Sequence, residues 1–198
     1  MVKYKKSDEK RKQILSAAFR SLSEHGYDSV TLQTIADYAE VSKGVVHYYF
    51  ASKEAVLVEL LEWLTGKISA RERAAVAEQH TAEGKLAAYI DSAFAGPAQN
   101  RSFYRVYLDF LSRASRSPVY REINQRFYDS CAGISTEVLL LGQQEGVFNK
   151  ELAPGRAAPV IRAIIDGCLI QWLMTGRDEL HADFKDSCYA AVMKVLSV

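Results

Sequence analysis

The sequence predicts an all-α protein: a three-helix helix-turn-helix head joined to a C-terminal helical bundle of about six helices. Apolar residues recur at helical spacing along almost the entire chain, and no stretch alternates strictly for long enough to make a strand. Breakers stand between the periodic runs, at Gly26, Gly96-Pro97, Ser117-Pro118, Gly146, Pro154-Gly155 and Gly176. Residues 31–53, TLQTIADYAEVSKGVVHYYFASK, read as two short helices joined by a tight turn, with an outward polar face on the second. That spacing suits a pair in which one helix crosses the DNA backbone and the next enters the major groove.

Ser7 is placed to cap a first helix running to about residue 25, with Asp8 and Glu9 in its first turn and Gly26 just past its end. Ile14, Ala18 and Leu22 form its buried stripe, flanked by Leu15 and Phe19. Thr31 caps a second helix whose Leu32, Ile35, Ala36 and Ala39 follow the i, i+3, i+4, i+7 pattern. Val41 and Ser42 make the turn and the next cap, and Val46, Tyr49 and Phe50 are the inward residues of the third helix. Ser52 caps a longer fourth helix with the stripe Leu57, Leu60, Leu61, Leu64 and Ile68. This helix starts inside the head and runs beyond it. Further helices are expected at about 83–95, 101–114, 118–145, 155–175 and 179–197, with Pro159 delaying or kinking the eighth. Residues 1–53 are assigned to DNA binding and 54–198 to ligand binding and dimerisation.

Composition narrows the class. At 198 residues and 48% hydrophobic content the chain can bury a sizeable core in one or two domains. Its net charge is only +1, but the charge is unevenly spread: up to Lys53 nine Lys and Arg face six acids, and the remainder is net acidic. A basic head on a slightly acidic body fits a DNA-reading module beside one with another task. For the terminal run Lys3 to Lys12, a solvated frayed end is an equal alternative. Cys131, Cys168 and Cys188 are widely spaced with no CxxC, which implies neither a disulfide framework nor a metal site. Reduced thiols, no secretory signal and no run of roughly 20 apolar residues lead to the expectation of a cytoplasmic protein without a membrane span. No cofactor is expected. Nor is there a nucleophile elbow or a glycine-rich phosphate loop, so no enzymatic activity is expected.

The third helix carries the chemistry. Ser42 caps it, and the helix N-terminus offers free N–H groups to a phosphate. Lys43 can reach a guanine edge or a phosphate, Gly44 lets the backbone approach the groove, and Val45 can meet a thymine methyl. His47, Tyr48 and Tyr49 extend this surface. Lys53 is badly placed for the dipole of its own helix, which a nearby phosphate would offset. Thr31 and Gln33, at the start of the second helix, can bond the backbone of the opposite DNA strand.

With these residues in view, positions 10–61 resemble the DNA-binding domain of the TetR family of transcriptional regulators. The matching pieces are ILSAAFRSLSEHGYDSVTLQTIA, VSKGVVHYYFASKEAVL and the Gly26-Tyr27 corner. Asp166-Gly167 is a weaker match to a frequent family pair. The resemblance implies a homodimeric repressor that places its third helices in a palindromic double-stranded DNA operator. A small-molecule effector in the body would move helix four and lower DNA affinity. It also implies that Lys43, Gly44 and Val45 read bases and that His47, Tyr48, Tyr49 and Lys53 hold phosphates, with Thr31 and Gln33 as further contacts. The HYY triplet departs from the family, which often has Tyr in place of His47 and His in place of Tyr49.

The body is rich in aromatics, and core packing explains most of them. A largely apolar effector site is expected among Trp63, Phe103, Tyr104, Tyr107, Phe127, Cys131, Gln171 and Trp172. Arg101, Arg105, Arg113 and Arg116 read as a solvated face rather than as an attractor for an anionic ligand. Ile161, Ile164, Ile165, Leu169, Trp172 and Leu173, with Phe184, Cys188, Ala191, Val192 and Val195, could supply a four-helix dimer interface or be buried within one subunit. A helical protein-binding adaptor is the rival class, and an activator is the rival within DNA-binding proteins.

Overall fold

The structure is a computed structural model that describes the backbone over residues 2–197 and the side chains over residues 7–197. Lys3, Lys5 and Lys6 of the basic terminus lie outside the described side chains. Among the described residues there are α-helices, one short 3-10 turn and no strand, in agreement with the predicted all-α class. In chain order the helices are α1 (Val2–His25), α2 (Leu32–Tyr38), α3 (Lys43–Tyr49), α4 (Lys53–Ala77) and α5 (Ala82–Ala93). They continue with α6 (Pro97–Ala114), α7 (Pro118–Glu145), α8 (Pro154–Thr175) and α9 (His181–Leu196).

The chain forms two compact units. One comprises Met1–Thr65 with Arg105–Ile123, and the other Gly66–Tyr104 with Asn124–Val198. The first therefore gathers the end of α6 and the start of α7 with the head, where the sequence division at 53/54 follows chain order.

In the first unit, α1, α2 and α3 pack on Ile14, Ala18, Leu22, Ile35, Ala36, Val46 and Phe50, each at most 3% exposed. Burying side chains of this size contributes about 1.5–3 kcal/mol for each larger one, enough to hold helices too short to persist alone. The caps are local. Thr31 Oγ1 accepts from Thr34 N at 3.1 Å, Ser42 Oγ from Val45 N at 3.3 Å and Ser52 Oγ from Ala55 N at 3.1 Å. The turn between α2 and α3 is a Schellman motif: Val41 N donates to Ala36 O at 3.0 Å and Glu40 N to Asp37 O at 3.1 Å. Glu40 occupies its left-handed position at φ 53°, where glycine is usual.

Side chains of α1 then cap the open ends of its neighbours. Arg20 donates to Tyr38 O at 2.7 Å and Gln13 to Ala39 O at 2.7 Å. Arg11 pairs with Glu59 and also donates to Tyr49 O at 3.3 Å. Two of the bases counted toward a DNA-attracting head thus serve the fold itself.

In the second unit α9 packs on α8 and α5. Trp172, 1% exposed, donates from Nε1 to Arg177 O at 3.0 Å and meets the edge of His181 at 4.7 Å. His181 Nε2 lies 2.8 Å from Asn100 Oδ1, and Asn100 Nδ2 donates to Ala93 O at 2.8 Å.

Two sequence expectations need correction. Ser7 caps nothing, because α1 runs through it from Val2 and the residues before it include no breaker. Pro159 does not delay α8, which starts at Pro154; in the early turns its missing N–H costs only one bond, to Gly155 O. The apolar residues of α8 and α9 divide: Ile161, Ile165, Leu169, Trp172, Cys188 and Val192 are buried within the chain itself, Ile164, Leu173 and Phe184 are half-buried, and Ala191 and Val195 are exposed. By length and composition α8 is apolar enough to cross a bilayer, although Arg156, Arg162, Asp166 and Gln171 interrupt its apolar residues. That is weak evidence for a span, because core helices pass the same test and Arg162 and Asp166 of α8 are engaged in ion pairs inside the fold.

Candidate DNA-reading face and effector site

The ten residues singled out for DNA contact all lie in the first unit. Thr31, Gln33, Ser42, Lys43, Gly44, His47 and Tyr48 are exposed, and Val45, Tyr49 and Lys53 are half-buried. Tyr48 is 82% exposed and stands edge-on to Tyr49 at 5.1 Å. At Gly44 an added Cβ would meet only Ser42 Oγ at 3.7 Å. Packing inside the chain therefore does not require glycine there, although glycine costs the helix about 1 kcal/mol relative to alanine. Close approach of an outside surface would be a use for it.

Lys53 has a different environment from the others. Its Nζ donates to Tyr27 O at 2.7 Å and lies 5.0 Å from the Tyr27 ring centroid. Burial lowers its pKa, partly opposed by Asp28. Gln33 Nε2 donates to Asp37 at 2.8 Å, a bond that a phosphate would have to replace.

The residues singled out for the effector divide between the units. Trp63 and Tyr107 belong to the first; Phe103, Tyr104, Phe127, Cys131, Gln171 and Trp172 belong to the second. In the second unit Tyr104, Phe127 and Cys131 meet around Arg162. Gln171 is exposed on α8, and Trp172 sits in the His181 cluster instead.

Around Arg162 the interior is charged. Its guanidinium pairs with Glu72 at 2.9 Å and Asp166 at 3.0 Å and lies 4.7 Å over the Phe127 ring. Tyr104 donates to Asp166 at 2.8 Å. The Cys131 thiol donates to Glu72 at 3.6 Å and accepts from Arg162 at 3.6 Å. Tyr89 is buried beside Arg162 and Cys131, its hydroxyl lacking a hydrogen bond of good geometry. Burial pushes the Cys131 thiol up to about 12, so it stays protonated. Burial also raises the Glu72 carboxyl, against the pull of Arg162. Arg71 adds a second positive charge near Glu72.

Glu72, Tyr89, Arg162 and Asp166 were not among the expected site residues. Charged residues at helical spacing read as solvated faces, and only the tertiary fold shows that Glu72 is 0% exposed. Of the arginines near α6, Arg101 is paired with Asp178 and Arg113 with Asp28, which leaves neither as an open anion site.

Residues 14–60 match the family described as "Bacterial regulatory proteins, tetR family", and residues 82–196 match "BetI-type transcriptional repressor, C-terminal". The fatty acid metabolism regulator protein of Bacillus subtilis is 28% identical over 165 residues, 82% of each chain. The HTH-type transcriptional regulator BetI of Burkholderia thailandensis is 27% identical over 178 residues, 84% of this chain and 83% of that one. Among solved structures, FadR from Bacillus subtilis in complex with stearoyl-CoA superposes with a TM-score of 0.79 at 27% identity, over 91% of this chain and 96% of that one. A putative regulator from Saccharomonospora viridis in complex with choline gives 0.87 at 24%, over 96% and 99%, a likeness of fold. These relatives are regulators rather than enzymes. With the DNA-reading head and most of the C-terminal part both matched, the chain belongs to the TetR family of bacterial transcriptional regulators.

Proposed function

We propose that this regulator is a ligand-responsive repressor that binds a palindromic operator as a homodimer in the cytoplasm. A small, largely apolar molecule bound in the C-terminal unit releases it. The observation that carries the DNA-reading part is the outward face of α3, where Lys43, Gly44, His47 and Tyr48 are open to solvent in one short helix. Their roles follow the assignment made from the sequence: Lys43, Gly44 and Val45 to base edges, and His47, Tyr48, Tyr49 and Lys53 to phosphates.

Support for a homodimer comes from α8. Val160, Ala163, Gly167, Gln171 and Met174 recur at spacings of three and four, and all are exposed or half-buried. Val160 is 43% exposed and Met174 67%. Gly167 has open space where a Cβ would stand, as close approach of a second helix requires. A two-fold pairing through this face would give the protein the symmetry that a palindromic operator mirrors.

The effector reading rests on Phe127, Tyr104 and Phe103 beside the Arg162 cluster. Stearoyl-CoA in the Bacillus subtilis neighbour supports an apolar ligand. The Glu72 and Asp166 carboxyl groups beside aromatic faces favour a second reading, a ligand with a cationic head.

The test selects duplexes bound by the purified protein from a random pool, then measures affinity against salt. A selected palindrome bound with a steep salt slope is expected. Binding of no duplex above the random pool would refute DNA reading. Stearoyl-CoA and choline, added to the complex, then separate the two effector readings: release by the first alone supports the apolar ligand, and release by the second alone the cationic one.

A further inference from the structure

We propose that Arg113, in the last turn of α6, is a positioning residue for DNA reading, because it fixes the corner from which α2 starts. This rests on the DNA-reading function proposed above. The corner is Gly26-Tyr27-Asp28, with Gly26 in the left-handed region at φ 74°. It lies a few residues before Thr31, the cap of α2 and a proposed DNA contact.

Tyr27 is held from outside the three-helix core on every side. Its N–H donates to Asp109 at 3.2 Å, and its carbonyl accepts from Lys53 at 2.7 Å. Its hydroxyl donates to Glu54 at 3.1 Å and lies 2.9 Å from the Tyr120 hydroxyl. Phe110 meets the ring edge-on at 5.9 Å. The Arg113 guanidinium stacks 3.6 Å from the ring centroid and also pairs with Asp28 at 2.5 Å. One side chain thus grips two consecutive residues of the corner.

Stability alone gives little reason for this arrangement. Asp28 is 91% exposed, and exposed ion pairs contribute little to folding. A planar cation stacked on an aromatic and paired with a carboxylate through one nitrogen specifies orientation more than it adds energy. The orientation specified is that of the chain entering α2. Arg113, Asp109 and Phe110 all lie on α6, so whatever places α6 places this corner.

The test compares the parent with Arg113→Ala, Arg113→Lys and Asp28→Asn. It reads the affinity ratio between selected operator and random duplex, the Tm, and hydrogen exchange over residues 26–34. Arg113→Ala is expected to lower the ratio about tenfold and to speed exchange over 26–34 while the Tm stays close to that of the parent. Arg113→Lys should recover part of both, since it keeps the charge for Asp28 and loses the flat stack. Asp28→Asn should also lower the ratio. If Arg113 instead touches phosphate, Asp28→Asn frees the guanidinium and tightens both duplexes alike with unchanged exchange, and the proposal fails. It fails equally if Arg113→Ala keeps the parent's ratio and exchange. Should Arg113→Ala unfold, Asp28→Asn at its exposed position decides between these outcomes. Should the parent prefer no duplex, the function proposed above fails, and the exchange measurement still decides whether Arg113 holds the corner.

Discussion

Lys43 and His181 show how differently a single side chain can act in this protein. Lys43 is exposed at the first position of α3, and its removal leaves the core untouched. Lys43→Ala is expected to cost about 1–3 kcal/mol of operator affinity with an unchanged Tm, measured by fluorescence anisotropy against selected and mutated operators. A uniform loss across all duplexes would reassign Lys43 to phosphate. His181 is buried, and burial lowers its pKa below the ordinary 6.5, with Lys185 adding to the shift. The unfolded chain therefore takes up this proton first. The stability involved is full above about pH 6.5 and is lost as pH falls from there toward the folded pKa. Glu72 works in the opposite direction: its carboxyl is raised above 4.5 by burial, so the cost of ionising it grows as pH rises past that value. Comparing Tm from pH 5 to 8 in parent and His181→Asn isolates the histidine. The parent should lose stability on acidification, and the variant should lose less.

At the scale of elements, the α2–α3 turn sets the angle between the two helices that meet DNA. Its left-handed residue is Glu40, not glycine. A left-handed residue with a Cβ costs about 1–2 kcal/mol, while glycine gives back part of this through unfolded-chain entropy. Glu40→Gly should therefore stabilise the protein by about 0.5–1 kcal/mol, read from urea unfolding. No gain would mean that this turn carries little strain. The elements themselves were legible in the sequence wherever apolar period and punctuation agreed, as in α7, which spans Pro118–Glu145 as expected. The start of α1 was misread because Ser7 looks like a cap, and a cap is recognised only by the helix not preceding it. The capping of α2 and α3 by Arg20, Gln13 and Arg11 was invisible, since it joins positions far apart in the chain.

For the whole molecule the key surface is the outer face of α8. The most apolar stripe of α8 and α9 is in part the chain's own core, with Ala191 and Val195 exposed, while Val160 and Met174 of α8 lie open on another face. Val160→Glu together with Met174→Glu is expected to shift the protein from dimer to monomer in sedimentation, and to abolish operator binding with it. A dimer that survives both changes would exclude this face as the interface.

Local pattern alone determined the all-helical class, the helix-turn-helix segment and the outward residues of α3. Caps, breakers and i, i+4 periodicity act between near neighbours, so they can be read without a fold. Tertiary structure decided what distant residues do to one another. It turned Arg11 and Arg20 into caps, turned Lys53 toward Tyr27, and set Arg113 on the corner before α2. It also buried Glu72, Arg162 and Asp166 together. A charged side chain carries no mark of its partner in its own sequence neighbourhood. Its meaning depends on which opposite charge, ring or carbonyl the packed helices bring within a few ångströms, and only the folded chain settles that.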